Sequence, residues 1–297
     1  FAVLKNLLEL YIVPSVLSVV ERKAPIEEMV LTILAFVGGM MLVTAGAAYV
    51  GENTLYGRVT MRLAIIGKLN KKSSTTSYPN LFEEKLEKLG IGSLRIDFCG
   101  HGDSKRDLKN FTLSSQVEDM IAGIEWLKKE KRVKSLVALG ISFGAPPAII
   151  VSELFKDIIR KCVLIAPVTD YQRTFVYPLT SWGKQKFGYE RIKEGICNKG
   201  LKIDSDYVLS ADILLEMLMI DVQDFVKRTS FNISIFHGKC DDMVPIITSE
   251  NMVNLRNNIK LVELDNTEHG LTEVGDEEFA TIVTYNNLEK VVNEIIC

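Results

Sequence analysis

The stretch that most narrows what this chain can fold into is residues 136–144, LVALGISFG, followed by the apolar, helix-compatible residues 145–155. Strand-forming residues run into Gly-x-Ser-x-Gly, and a helix is expected to leave it. That order of strand, sharp turn and helix is the setting of a nucleophile elbow. The turn is tight, so a Cβ at either glycine is predicted to collide with the neighbouring strand or helix. Ser142 would then stand above the sheet edge at a helix N-terminus, with the Phe143 backbone N–H free to face a developing oxyanion.

A serine hydroxyl is a weak nucleophile at neutral pH and needs a base oriented by an acid. In sheets of this kind the partners follow in the order Ser, Asp, His, on loops after later strands. Two such loops are present. Residues 231–236 read as a strand and lead into HGKCDDMVP, residues 237–245; the last strand, 261–264, leads into DNTEHG, residues 265–270. They supply Asp241 or Asp242 as the acid and His269 as the base. The chain has three histidines, so the other two are informative as well. They are His101, in Gly-His-Gly, and His237, before Gly238.

The same alternation continues on both sides of the elbow. Residues 62–67 and 93–98 read as strands, and residues 81–89 carry Leu81, Phe82, Leu86 and Leu89 on one helical stripe. Residues 112–129 read as an amphipathic helix with Thr112-x-x-Ser115 at its start and Val117, Met120, Ile121, Ile124 and Leu127 on its apolar face. A further strand spans 161–166, and a closing helix spans 279–296. Strands alternating with helices predict a parallel, doubly wound sheet. Residues 168–228 interrupt the rhythm and are predicted to form an inserted cap, with residues 209–226 as an apolar helical run. The cap carries Tyr171 and Trp182 and would set the substrate.

Net charge is −3, which offers no basic face to nucleic acid. Five cysteines without a CxxC spacing argue against a disulfide framework and against zinc, and predict reduced, mostly buried thiols. The chain begins with Phe1, which reads as a fragment or a processed chain. Residues 29–50 are 22 residues without a charge, long enough as a helix (about 33 Å) to span a bilayer. Ala35 and Gly39 would suit close helix packing in lipid. Residues 1–57 therefore read as a hydrophobic membrane-type segment and linker, and 58–297 as the main domain.

Two resemblances follow from these residues. PSVLSVVERKAPIEEMVLTILAFVGGMMLV resembles the closing helix pair of an EamA-like repeat in the drug/metabolite transporter superfamily. From about Arg62 onward the chain resembles the α/β-hydrolase fold, and within it the esterase, acylaminoacyl-peptidase and cinnamoyl-esterase-like serine hydrolases. The matching pieces are SLRIDFCGHGDS, TLSSQVEDMIAGIEWL, LGISFGA, LIAPVTDY, HGKCDDMVP and EHG. The resemblance implies Ser142 as nucleophile, His269 as general base and, by the pattern His-Gly-x-x-Asp-x-x-Val-Pro, Asp241 rather than Asp242 as the acid. Phe143 and Lys68 would supply the oxyanion N–H groups, and the resemblance implies a loop-shaping role for His101 and a packing role for His237. It further implies hydrolysis of a small-molecule acyl ester with no metal or cofactor.

Two departures stand out. Ile66-Gly67-Lys68 replaces the family's His-Gly, and the family's leading β-hairpin is missing, which leaves either an unpaired sheet edge or a strand pairing that the sequence does not reveal. They motivate two alternatives: a catalytically impaired binding module, or a fused gene model carrying a transporter remnant. The expected location is membrane-associated, with the hydrolase domain on the cytoplasmic side, or cytoplasmic if residues 1–57 are foreign to it.

Overall fold

The computed structural model describes residues 42–43, 61–68, 78–129, 133–204 and 207–297, with residues 42–43, 61–68 and 78–82 described by their backbone. Their strands build a seven-stranded sheet. In chain order the strands are β1 (Leu42–Val43), β2 (Met61–Lys68), β3 (Gly92–Asp97), β4 (Val133–Ile141), β5 (Ile159–Ile165), β8 (Asn232–Gly238) and β9 (Ile259–Leu264). A separate two-stranded ribbon holds β6 (Gly200–Asp204) and β7 (Tyr207–Ser210). Across the large sheet the order is β1-β3-β2-β4-β5-β8-β9. Every neighbouring pair is parallel except β1 with β3. The chain winds one way from β2 to β3 and the other way from β4 to β9. The winding reverses between β2 and β4, and open parallel sheets bind ligands at that crevice.

The central strands are apolar on both faces, as strands covered by helices must be. Leu136, Ala138, Cys162, Leu164, Ile233 and Ile235 belong to one buried layer; Val137, Leu139, Ile141, Val163, Ile165 and Phe236 belong to the other. The first layer is covered by α2 (Leu113–Lys128) and α3 (Ala145–Leu154), the second by α9 (Ile282–Ile296) together with Leu86 of α1 (Tyr78–Lys88). Helix α2 starts where Thr112 predicts. The Thr112 hydroxyl accepts from the Ser115 N–H at 2.9 Å, and the Ser115 hydroxyl accepts from the Thr112 N–H at 3.0 Å. This reciprocal box satisfies two donors that a helix start otherwise leaves open. Met120, Ile124 and Leu127 face the core as expected, while Val117 and Ile121 are only partly covered.

The inserted cap lies between β5 and β8. It contains a π-helical turn (Gln172–Val176), α4 (Ser181–Lys186), α5 (Tyr189–Cys197), the β6–β7 ribbon, α6 (Ala211–Met219) and α7 (Val222–Lys227). The expected single helical run over 209–226 is therefore corrected. Leu209 is strand, and Ile220 is extended (φ −95°, ψ 126°). The Asp221 carboxylate then caps a second helix by accepting from the Asp224 N–H at 2.9 Å. An apolar run conceals such breaks because burial, not period, sets its composition. The Glu216 carboxylate on α6 accepts from the Leu113 N–H and, at 2.9 Å, from the Ser114 hydroxyl, so the cap supplies an anion to the N-terminus of α2.

Other expectations need correction. Leu89 lies past the end of α1 and is exposed. All five cysteines are free, but only Cys99 and Cys162 are buried; Cys197, Cys240 and Cys297 are exposed. The closing helix begins at Ile282 rather than at 279. Within the predicted span 29–50, Leu42 and Val43 are strand and pair antiparallel with Arg95 and Leu94 at the sheet edge. Apolar composition serves a sheet as readily as a bilayer. Of the two alternatives for this edge, the pairing that the sequence does not reveal is the one present, over two residues. The rest of 1–57, which holds all of the EamA-like stretch but its last two residues, lies outside the described residues. Among the described residues no helix is long and apolar enough to cross a membrane.

Candidate active site

Ser142 directly follows β4 at φ +52°, a conformation that costs a non-glycine residue energy and is held by its surroundings. The surroundings explain Gly140. A Cβ there would lie 2.7 Å from the Ala145 Cα and 2.8 Å from the Gly144 carbonyl oxygen, both backbone atoms. The strand and the departing helix approach too closely for any side chain. The Ala145 N–H and the Val168 N–H (3.1 Å) donate to the Ser142 carbonyl, which ties the elbow to both α3 and the start of the cap.

Ser142, Asp241 and His269 converge. The His269 Nδ1 lies 2.8 Å from Asp241 Oδ2, and its Nε2 lies 2.9 Å from Ser142 Oγ. An ionised carboxylate only accepts, so Nδ1 carries the ring proton and Nε2 accepts from the serine hydroxyl. Asp242, the other carboxylate in the loop, is not part of this chain of bonds. The other oxygen of Asp241, Oδ1, accepts from the Met243 N–H at 2.9 Å and the Val244 N–H at 2.8 Å. Burial would raise the Asp241 carboxyl, but contacts from His237 and His269 outweigh it and hold the group well below the ordinary carboxylate range.

His237 is more engaged than packing alone requires. It is fully buried. Its Nε2–H donates to the Val244 carbonyl at 3.1 Å and sits 3.2 Å from Asp241 Oδ2, while its Nδ1 accepts from the Ser249 hydroxyl at 2.7 Å. Ser249 comes from α8 (Ile247–Val253), a helix the periodicity did not reveal. His101 is buried too, with one ring nitrogen on the Cys99 carbonyl at 2.9 Å and the other on the Tyr207 hydroxyl at 3.0 Å.

Lys68 ends β2. The preceding Gly67 registers with Gly140 of β4 and Lys68 itself with Asp97 of β3, so the Lys68 backbone sits at the level of the elbow. Phe143 begins the turn into α3 and stacks on Tyr171 of the cap, with centroids 5.6 Å apart and planes at 10°. A cavity of about 530 Å³ opens onto Ser142 and His269. Its walls include Phe111, Phe143, Phe175, Trp182, Phe187 and Phe279, with Tyr207 and Asp204 from the ribbon. Tyr171 supports this wall from behind and does not line it.

A sequence-family model described as serine aminopeptidase, S33, matches residues 71–194. Among solved structures, Est1E from Butyrivibrio proteoclasticus with ferulic acid bound is 24% identical, with a TM-score of 0.63 over 80% of this chain and 90% of that one. An esterase from Exiguobacterium antarcticum is 15% identical, with a TM-score of 0.57 over 80% of this chain and 94% of that one. A monoacylglycerol lipase from Paleococcus ferrophilus is 15% identical, with a TM-score of 0.52 over 78% and 94%. This chain has the α/β-hydrolase fold. The curated proteins contain no match to it. Within the hydrolase fold the elbow, the acid loop and the histidine loop occupy the ends of β4, β8 and β9, as the order Ser, Asp, His requires.

Proposed function

We propose that the chain is a serine hydrolase that cleaves carboxyl esters through an acyl-serine intermediate. His269 takes the Ser142 proton as the hydroxyl attacks the carbonyl, then returns it to the leaving alcohol. Asp241 fixes the tautomer and stabilises the imidazolium. The Phe143 and Lys68 backbone N–H groups receive the oxyanion, and losing one such donor lowers kcat roughly 10²–10³-fold. Water then attacks the acyl-serine by the same route. The observation that carries this reading is the continuous chain of bonds from Asp241 through His269 to Ser142.

The cavity favours an ester with an apolar acyl group over a peptide with a free α-amine. Its walls are largely apolar, and its carboxylate, Asp204, already holds the Lys186 ammonium at 2.7 Å. The test is hydrolysis of p-nitrophenyl esters of graded acyl length beside alanine p-nitroanilide. Ester turnover that vanishes in Ser142→Ala supports the reading. Full turnover in that variant, or turnover of the anilide alone, contradicts it.

A further inference from the structure

We propose that the His101–Tyr207 contact is the joint that fixes the cap wall of this cavity, which makes the two residues determinants of acyl-group selectivity. The proposal builds on the ester-hydrolase reading for its substrate arm.

The core side of the joint is rigid. Gly100 and Gly102 have φ of +75° and +52°; a Cβ on Gly100 would meet the Leu108 Cα at 2.4 Å, and one on Gly102 would meet the Asp97 carboxylate at 2.3 Å. The His101 N–H donates to the Phe98 carbonyl at 2.9 Å, and the Asp103 N–H donates to Asp97 Oδ2 at 3.0 Å. The loop therefore delivers the His101 ring in one orientation. The proton positions then follow. The Cys99 carbonyl only accepts, so Nδ1 carries the proton, Nε2 is bare, and the Tyr207 hydroxyl donates to it. Burial holds the His101 imidazolium disfavoured, against smaller opposing effects from the Cys99 carbonyl and Asp97, and this keeps the neutral tautomer that can accept.

The cap side needs such a tie. A two-stranded ribbon is marginal in water on its own. Its contacts through Lys186, to the Ile203 carbonyl (3.3 Å) and Asp204, and through Arg191, to the Lys202 carbonyl (3.5 Å), join it to the cap's own helices. The His101–Tyr207 bond joins it to the sheet domain. His101 also stands edge-on to Phe111, with centroids 4.6 Å apart at 61°. Phe111 and Tyr207 are both cavity walls, one from each domain part. The same imidazole thus sets the spacing between two facing surfaces of the acyl pocket.

Tyr207→Phe removes one oxygen and keeps the ring. The net value of one hydrogen bond corresponds to roughly a fivefold change in an equilibrium. Tyr207→Phe is expected to raise the kcat/KM ratio of p-nitrophenyl octanoate to acetate about fivefold, as the released wall admits longer chains. Amide exchange over residues 200–210 is expected to quicken by a similar factor while β4 stays unchanged. An unchanged ratio in an active enzyme overturns the selectivity claim, even if the ribbon loosens. Should the unsubstituted protein hydrolyse no ester, the ester reading fails instead. The joint is then judged by exchange alone, and equal protection of 200–210 in both proteins overturns it.

Discussion

Both oxygens of Asp241 are engaged, Oδ1 by the Met243 and Val244 N–H groups and Oδ2 by His269, with His237 beside it. The side chain is held from both ends, and the role proposed for it rests on charge rather than shape. Asp241→Asn keeps the shape but removes an acceptor where His269 must donate. It is expected to lower kcat by about 10⁴ with little change in KM, checked by steady-state kinetics on a p-nitrophenyl ester. Gly140 is constrained in the opposite sense, by space. Gly140→Ala would press a methyl onto backbone at 2.7 and 2.8 Å, and neither atom can rotate away. A loss of more than about 2 kcal/mol in urea unfolding is expected. A variant as stable as the parent would contradict the crowded-elbow account. At this scale Ser142 and His269 were legible from residue type and order alone. The choice of Asp241 over Asp242 rested on the resemblance to the hydrolase family and its pattern His-Gly-x-x-Asp-x-x-Val-Pro. The polar role of His237 was not legible, because its partner Ser249 lies in a helix too short to show a period.

Elements were legible where capping chemistry marked them. Thr112 and Ser115 announced α2, and their reciprocal bonds explain why. Thr112→Val removes the acceptor for the Ser115 N–H and should cost about 1 kcal/mol, read as a fall in the thermal midpoint of roughly 2–4 °C. No change would show the box to be redundant with Glu216. The cap was legible as an interruption but not in its parts. Residues 209–226 hide a strand end, a helix, an extended Ile220 and a second helix inside one apolar run. The β6–β7 ribbon escaped for a related reason. Its strands are short, and the contact that steadies it, Tyr207 with His101, spans 106 residues, beyond the reach of local pattern.

At the scale of the molecule, Glu294 near the end of α9 ties three strands together. Its carboxylate accepts from Lys161 of β5 (2.7 Å), Ser234 of β8 (2.9 Å) and Lys260 of β9 (3.0 Å). Burial would raise its carboxyl, yet these three partners hold it at about 2, below the ordinary glutamate value of 4.5. A depressed carboxyl contributes stability above its unfolded value, and that contribution is lost as pH falls through the folded one. Glu294→Gln is therefore expected to lose roughly 1–2 kcal/mol at pH 7, and the gap to the parent should narrow as pH falls from 4.5 towards 2. A gap independent of pH would contradict the ion-pair account. The site itself belongs to this scale, since Ser142 meets His269 across 127 residues of chain and only the assembled sheet brings them together. The most direct measurement of that claim is labelling with a fluorophosphonate, followed by mass spectrometry of the adducted peptide. The account predicts one adduct per chain, on Ser142, abolished in Ser142→Ala and at least a thousandfold slower in His269→Ala. An adduct on another residue, or labelling at the parent rate without His269, would contradict it.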